Sequence, residues 1–178
     1  MHSTAKNLVL ETIRRRRSAR RFKDTPVGDD VIEVVLEAGR WAPSFSNLQP
    51  WKFIVVRNTD VKKKLQDIAS KSVRAFEMQE APAAIVVCVD PEKEPRHYVE
   101  DGSAATQNMM LAAQSLGLAT FWVGVFDTPQ EPEVKKVLRI PETMRVISIL
   151  PIGVAAESRE SGRMDLKKMV YHEEFGKP

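Results

Sequence analysis

Hydrophobic and polar positions change period along this chain, and the changes mark its elements. Residues 3 to 16 predict a helix with Leu8, Leu10 and Ile13 on a partial apolar face and Ser3 or Thr4 as its cap. After the polar turn Lys23-Asp24-Thr25-Pro26, the residues Val31, Ile32, Val35, Leu36, Gly39 and Ala42 recur at helical spacing. Asp29 or Asp30 is its expected cap, and Pro43 ends it because the ring cannot continue the hydrogen-bond ladder. Ser44 to Pro50 reads as a loop. Trp51 to Val56 predicts a strand, Val61 to Phe76 a charged amphipathic helix, and Ala83 to Val89 a buried strand. A polar excursion from Asp90 to Arg96 follows.

Val99 to Leu116 is apolar on nearly every side, with Ala104, Ala105, Met109, Met110, Leu111, Ala112, Ala113 and Leu116. Such a helix belongs in the centre of a core or across a subunit interface. Gly117 suits its C′ position. Ala119 to Val125 predicts a strand, Pro129 to Leu138 a short helix, and Arg145 to Val154 a second doubly buried strand. From Ala155 to Pro178 the chain turns polar, with Tyr171 and Phe175 as isolated anchors. This order predicts one domain over residues 1–178, a helix-flanked sheet of four or five strands.

At 178 residues, 43% hydrophobic and 29% charged, the chain can bury a core without staples. Its single cysteine, Cys88, lies within the apolar run 83–89 and reads as a buried reduced thiol, consistent with a reducing cytoplasm. No apolar run is long enough to span a membrane, and Leu8-Val9-Leu10 is too short for a secretory signal. His2, His97 and His172 are scattered, so no metal-ligand spacing exists. The dinucleotide fingerprint, the phosphate-binding P-loop and the serine-hydrolase elbow are all missing.

Two segments remain. Arg16-Arg17-Ser18-Ala19-Arg20-Arg21-Phe22 concentrates much of the net charge of +3. Guanidinium forks with a serine hydroxyl suit a phosphate, and residues 16, 18 and 20 of an extended segment share one side. Equally, a basic helix end can simply complement the C-terminal dipole. Nucleic acid is a weaker fit, because no second basic patch with interleaved aromatics accompanies it. The other segment, Trp41-Ala-Pro-Ser-Phe-Ser-Asn-Leu-Gln-Pro-Trp51, makes a stiff loop able to offer backbone amides and Asn47 to a flat heteroaromatic ligand. Its tryptophans are expected in the core.

In this order and spacing the two segments resemble the FMN-dependent nitroreductase family. The likeness continues through Asp101-Gly-x-Ala-x-x-Gln-Asn-Met-Met-Leu-Ala-Ala, Leu116-Gly-Leu, Phe121-Trp-Val-Gly124, Leu150-Pro-Ile-Gly153 and the late Arg163. The resemblance implies an α+β fold with a central, mostly antiparallel sheet, in an intertwined homodimer holding two FMN sites at its interface. It implies that Arg16, Arg17 and Ser18 hold the FMN phosphate and ribityl region, with Arg163 closing on the phosphate. Arg20 would sit near flavin N1 and O2, and Gly124 would bring backbone against the ring near N5. Pro43, Ser44 and Asn47 of the partner subunit would line the isoalloxazine.

The implied activity is transfer of hydride from NAD(P)H through FMN to nitroaromatics, quinones or similar small electrophiles. A cation near N1 would raise the electron affinity of the flavin, and an amide near N5 would orient the accepting atom. No acid–base residue is then required. The alternative is a non-enzymatic flavin-binding or redox-sensing module. Two departures from longer relatives stand out. Val154-Ala-Ala follows Leu150-Pro-Ile-Gly, and the chain has little room for channel-shaping insertions, which implies an open pocket. Between residues 70 and 82, Arg74 is the one candidate for a further flavin contact, with a helix-surface arginine as the other reading.

Overall fold

The computed structural model describes residues 7–71, 76–157 and 161–177. Helix α1 (Leu8–Arg15) is capped by Asn7, whose side chain accepts from the N–H groups of Val9 and Leu10. The expected caps Ser3 and Thr4 lie outside the described residues, as does Arg74. Helix α2 (Asp29–Arg40) starts from Gly28 without a side-chain cap, so neither Asp29 nor Asp30 caps it. Both instead place negative charge in the first turn, and Asp29 pairs with Arg57 at 2.6 Å.

Strand β1 (Trp51–Val56) leads to α3 (Thr59–Ala69), which begins two residues earlier than the sequence pattern predicts because Asn58 caps it. Its helical hydrogen bonding ends at Ala69, short of the expected Phe76, whose ring is buried against Phe121. Then come β2 (Ala83–Val89), α4 (Tyr98–Ser115), β3 (Ala119–Thr120), β4 (Val123–Gly124), α5 (Glu131–Leu138) and β5 (Arg145–Gly153). Helix α4 closes in a Schellman motif: Leu118 N–H reaches Ala113 C=O at 2.9 Å, Gly117 N–H reaches Gln114 C=O, and Gly117 takes φ +76°.

The strands form one five-stranded antiparallel sheet in the order β1-β2-β5-β3, with β4 also on β5. The expected single strand 119–125 is split in two, yet Thr120 faces Ile152 and Val123 faces Ile149, so the register never slips. The gap lies opposite Pro151. Phe121 donates to Pro151 C=O at 3.4 Å, but proline has no N–H to return the bond.

Strand β2 is buried on both faces. Ala83, Ile85, Val87 and Val89 join the core under α2 and α4, while Ala84, Val86 and Cys88 join the core under α3 and α5. Strand β5 would obey the same alternation but for a bulge opposite Val87 and Cys88. Ile147 and Ser148 consequently both turn toward α4, where Ser148 Oγ lies 2.9 Å from Thr106 Oγ1. Gly102 makes room for this, since a Cβ there would stand 2.7 Å from Ile147 Cγ1 and from Val89 Cγ1. Burial pushes the Cys88 thiol up to about 12, which leaves it inert.

Helix α4 is not enclosed all round within one protomer. Its sheet-facing residues are buried, whereas Leu111 and Ala112 are half-covered and Leu116 is exposed. No helix of the described residues is long and apolar enough to cross a membrane.

Candidate active site

Arg16 ends α1 in an extended conformation (φ −55°, ψ 126°), and the chain then runs beside β3. Ser18 forms a parallel bridge with Thr120, and Ala19 N–H donates to Thr120 C=O at 3.0 Å. Farther on, Phe22 bridges Ala155, and Arg21 N-ε and N-η2 grip the Glu80 carboxylate at 2.8–3.1 Å. The whole segment is thus stitched to the sheet edge, which fixes where its side chains emerge.

The cations of this segment divide. Arg17 turns back, donating to the carbonyls of Arg14 at 2.6 Å and Arg16 at 2.8 Å, as a helix-terminating basic residue does. It also lines, with Arg15, Ser18, Lys23 and Gly117, a cavity of about 410 Å³. Arg16 is half-buried, and burial together with the guanidinium groups of Arg163 and Arg17 holds it below the usual arginine range. The Arg163 charge therefore reaches Arg16 from a distant part of the chain. Arg163 donates to Gly162 C=O at 2.8 Å and Ser161 Oγ at 3.2 Å. Arg20 lies over the Phe121 ring, 5.2 Å from its centroid.

Along the same edge, Gly124 is exposed in β4. A Cβ there would meet only Trp122, at 3.9 Å from Nε1, so packing within the protomer does not demand a glycine.

The second segment stands elsewhere. Pro43 and Asn47 are exposed and Ser44 half-buried. Ser46, Asn47 and Gln49 all take left-handed φ, at 47°, 58° and 51°. For residues other than glycine this costs about 1–2 kcal/mol each, so surrounding contacts must enforce it. Ser44 Oγ accepts from Gln49 N–H at 3.0 Å, Asn47 Oδ1 accepts from Gln49 Nε2 at 2.9 Å, and Gln49 C=O accepts from Lys93 Nζ at 3.3 Å. Asp101 Oδ1 accepts from Phe45 N–H at 3.0 Å.

Of the flanking tryptophans, Trp51 is in the core as expected, but Trp41 is 72% exposed. Its indole N–H donates to Glu37, and Arg40 stacks on its face at 5.1 Å. Helix α2 ends one residue before it, which swings the ring off the apolar stripe that the sequence pattern extends to Ala42.

The two segments do not meet within the chain. Trp51 pairs with Val89 at one end of the ladder, whereas Thr120 faces Ile152, itself opposite Ala83, at the other. That separates them by roughly 20 Å along the strands and by about three strand spacings, some 14 Å, across the sheet. Loop and arginines occupy diagonal corners.

Apolar side chains stand open nearby. Helix α1 buries none of its residues, and Leu8, Val9, Leu10 and Ile13 are 46–72% exposed. Leu8, Val9, Trp41, Leu111 and Ala112 line a groove of about 480 Å³. Tyr171 and Phe175, expected to anchor the tail, stack on each other with centroids 4.6 Å apart, and Phe175 is 93% exposed.

Asp101 carries no role in the sequence pattern beyond its place in a motif, although a carboxylate entering an otherwise apolar helix is a usable signal. Nothing in the sequence pattern pointed to Phe121 beneath Arg20.

An antiparallel sheet between two helical layers, with arginines at one corner and a strained polar loop at the other, defines an open-edged α+β protein. The chain belongs to the nitroreductase family, whose sequence model matches residues 13–154. It is 39% identical over 153 residues to a Methanothermobacter thermautotrophicus protein provisionally named NADH dehydrogenase/NAD(P)H nitroreductase, covering 84% of this chain and 78% of that one. A solved structure from Parabacteroides distasonis with the same provisional name superposes with TM-score 0.86 at 33% identity, covering 96% of this chain and 100% of that one. An FMN-dependent nitroreductase from Clostridium difficile superposes equally, with TM-score 0.86 at 29% identity over 93% and 99% of the two chains.

Proposed function

We propose that this protein is a homodimeric oxidoreductase of a reducing cytoplasm, which binds FMN between its protomers and passes hydride from NAD(P)H to nitroaromatics, quinones or similar small electrophiles. The observation that carries this reading is the diagonal separation of the two halves of the site. A twofold axis would bring the loop of one protomer to the arginine corner of its partner, and would do so twice. The exposed apolar residues of α1, Trp41 and the tail supply surface for such an interface.

The residues present fit the cofactor. Arg16 and Arg163, which repel each other electrostatically, would be relieved by a dianionic phosphate, and Ser18 adds a hydroxyl. Arg20 supplies positive charge on the Phe121 side of the same edge, where the N1–O2 end of the ring would lie. Gly124 exposes backbone without a side chain, which lets a flat ring approach closely. Pro43, Ser44 and Asn47 would cover the ring from the partner. Bound flavin supplies hydride acceptance and donation. The protein's own work is binding, orientation and charge placement.

Purification tests this. A yellow dimer that bleaches with NADH or NADPH without oxygen, and recovers colour on adding a nitroaromatic or quinone, is expected. A colourless protein that ignores added FMN overturns the reading. A yellow protein that neither nicotinamide reduces identifies the non-enzymatic flavin-binding module instead.

A further inference from the structure

We propose that Asp101 is a positioning residue for the flavin-covering loop: its Oδ1 holds Phe45 N–H and so fixes the left-handed run at Ser46, Asn47 and Gln49. This rests on the reading that the loop faces a flavin.

Three observations carry it. Asp101 is 5% exposed in the first turn of α4, and its Oδ2 is buried without a hydrogen-bond partner. A carboxylate kept there in spite of an orphan oxygen is explained by what the other oxygen holds. Asp101 is not engaged in capping α4, which has no side-chain cap, and the turn before the helix is held by Glu94, whose carboxylate accepts from Arg96 N–H at 3.0 Å and from His97 N–H. Finally, among the described residues the other side-chain hydrogen bonds to the loop come from within it or from the exposed Lys93, while the Phe45 ring lies 4.7 Å from that of His97 at the start of α4. Among these hydrogen bonds, that of Asp101 alone fastens the loop to a helix packed in the core.

The test compares D101A, D101N and F45P. Asparagine keeps an acceptor oxygen, alanine removes it, and proline removes the donor while suiting the extended conformation of Ser44. FMN titration should show D101A weakened about tenfold, the order expected for losing a hydrogen bond to a charged group. The flavin's visible circular dichroism should change with it, and D101N should restore both. Because F45P also removes the ring that packs on His97, the double variant D101A/F45P should be no worse than F45P alone. Far-UV circular dichroism and thermal melting report folding separately, and F45P carries the test if D101A does not fold.

Native flavin affinity and spectrum in D101A or F45P would overturn the assignment, as would a D101N no better than D101A. Amide exchange at Phe45 needs no cofactor: protection in the wild type and D101N, lost in D101A, is expected, and equal exchange in all three would also overturn it. A wild type that binds no FMN but shows this exchange pattern would defeat the flavin reading while leaving Asp101 as the loop's anchor.

Discussion

Arg145 and Arg16 solve opposite problems. Arg145 meets the Glu131 carboxylate with two bonds of 2.9 Å, reaches Asp127 at 3.5 Å and stacks on Phe126 at 4.4 Å. Glu131, 4% exposed, also takes the N–H groups of Asp127 and Val146. Both oxygens of that buried carboxylate thus have partners inside the chain. Arg16 instead has other guanidinium groups beside it. The contrast teaches how to separate the two kinds of arginine: Arg145 is neutralised by the fold, whereas Arg16 feels like charges, which is what the proposed phosphate site would relieve.

The largest effect expected from this contrast is in Arg145→Ala. It strands a buried carboxylate and should cost about 3 kcal/mol, read as a lower denaturation midpoint at unchanged slope. Arg16→Ala should leave the melting temperature of the apoprotein unchanged or higher, because it removes like-charge repulsion. Its FMN dissociation constant should rise roughly tenfold to a hundredfold, by the loss of charge-assisted bonds to phosphate. Equal stability losses in the two variants would erase the distinction.

Two glycines extend the comparison. Gly102→Ala drives a Cβ into Ile147 and Val89 and should destabilise by about 1–3 kcal/mol. Gly124→Ala meets open space, so stability should hold while flavin binding weakens. A flavin affinity indifferent to Gly124→Ala would remove that backbone from the site.

Acid titration separates the regions further. Burial raises the Glu131 carboxyl, but the Arg145 guanidinium and the Val146 and Asp127 N–H groups outweigh it, leaving the folded value below the ordinary 4.5. A folded value lower than the unfolded one stabilises above 4.5 and loses that stabilisation as pH falls through the folded value. Unfolding free energy should therefore decline on acidification below 4.5 in the wild type, and decline less steeply in Arg145→Ala. The smallest effect is Arg17→Ala, about 0.5 kcal/mol of stability, from the lost contact with the carbonyls ending α1.

Much of the fold was legible because burial imposes period. The doubly apolar runs 83–89 and 145–153 could only be central strands, and Gly117 after an apolar helix could only be its C′ residue. Helix α3 was misjudged at both ends because capping by Asn58 and termination near Ser70 are local hydrogen-bond events with weak sequence signals. The split of residues 119–125 was not legible either, since its cause, Pro151, is a cross-strand neighbour distant in sequence. In the site, residue types were informative and roles were not. Arg16 and Arg17 are identical neighbours, yet Arg17 donates to the helix carbonyls while Arg16 is half-buried and feels the charge of Arg163.

By itself, then, the sequence determined which residues are apolar and at what period, and hence the elements and the central strands. It also determined the family likeness, because the order and spacing of the two motifs are properties of the chain alone. Only the tertiary structure decided that those motifs stand at diagonal corners of the sheet, that α1 and the tail leave apolar faces open, and that Asp101 reaches across to Phe45. The physical reason is range. Periodicity and capping act within a few residues, whereas strand register and the meeting of charges far apart in sequence exist only once the chain has closed on itself.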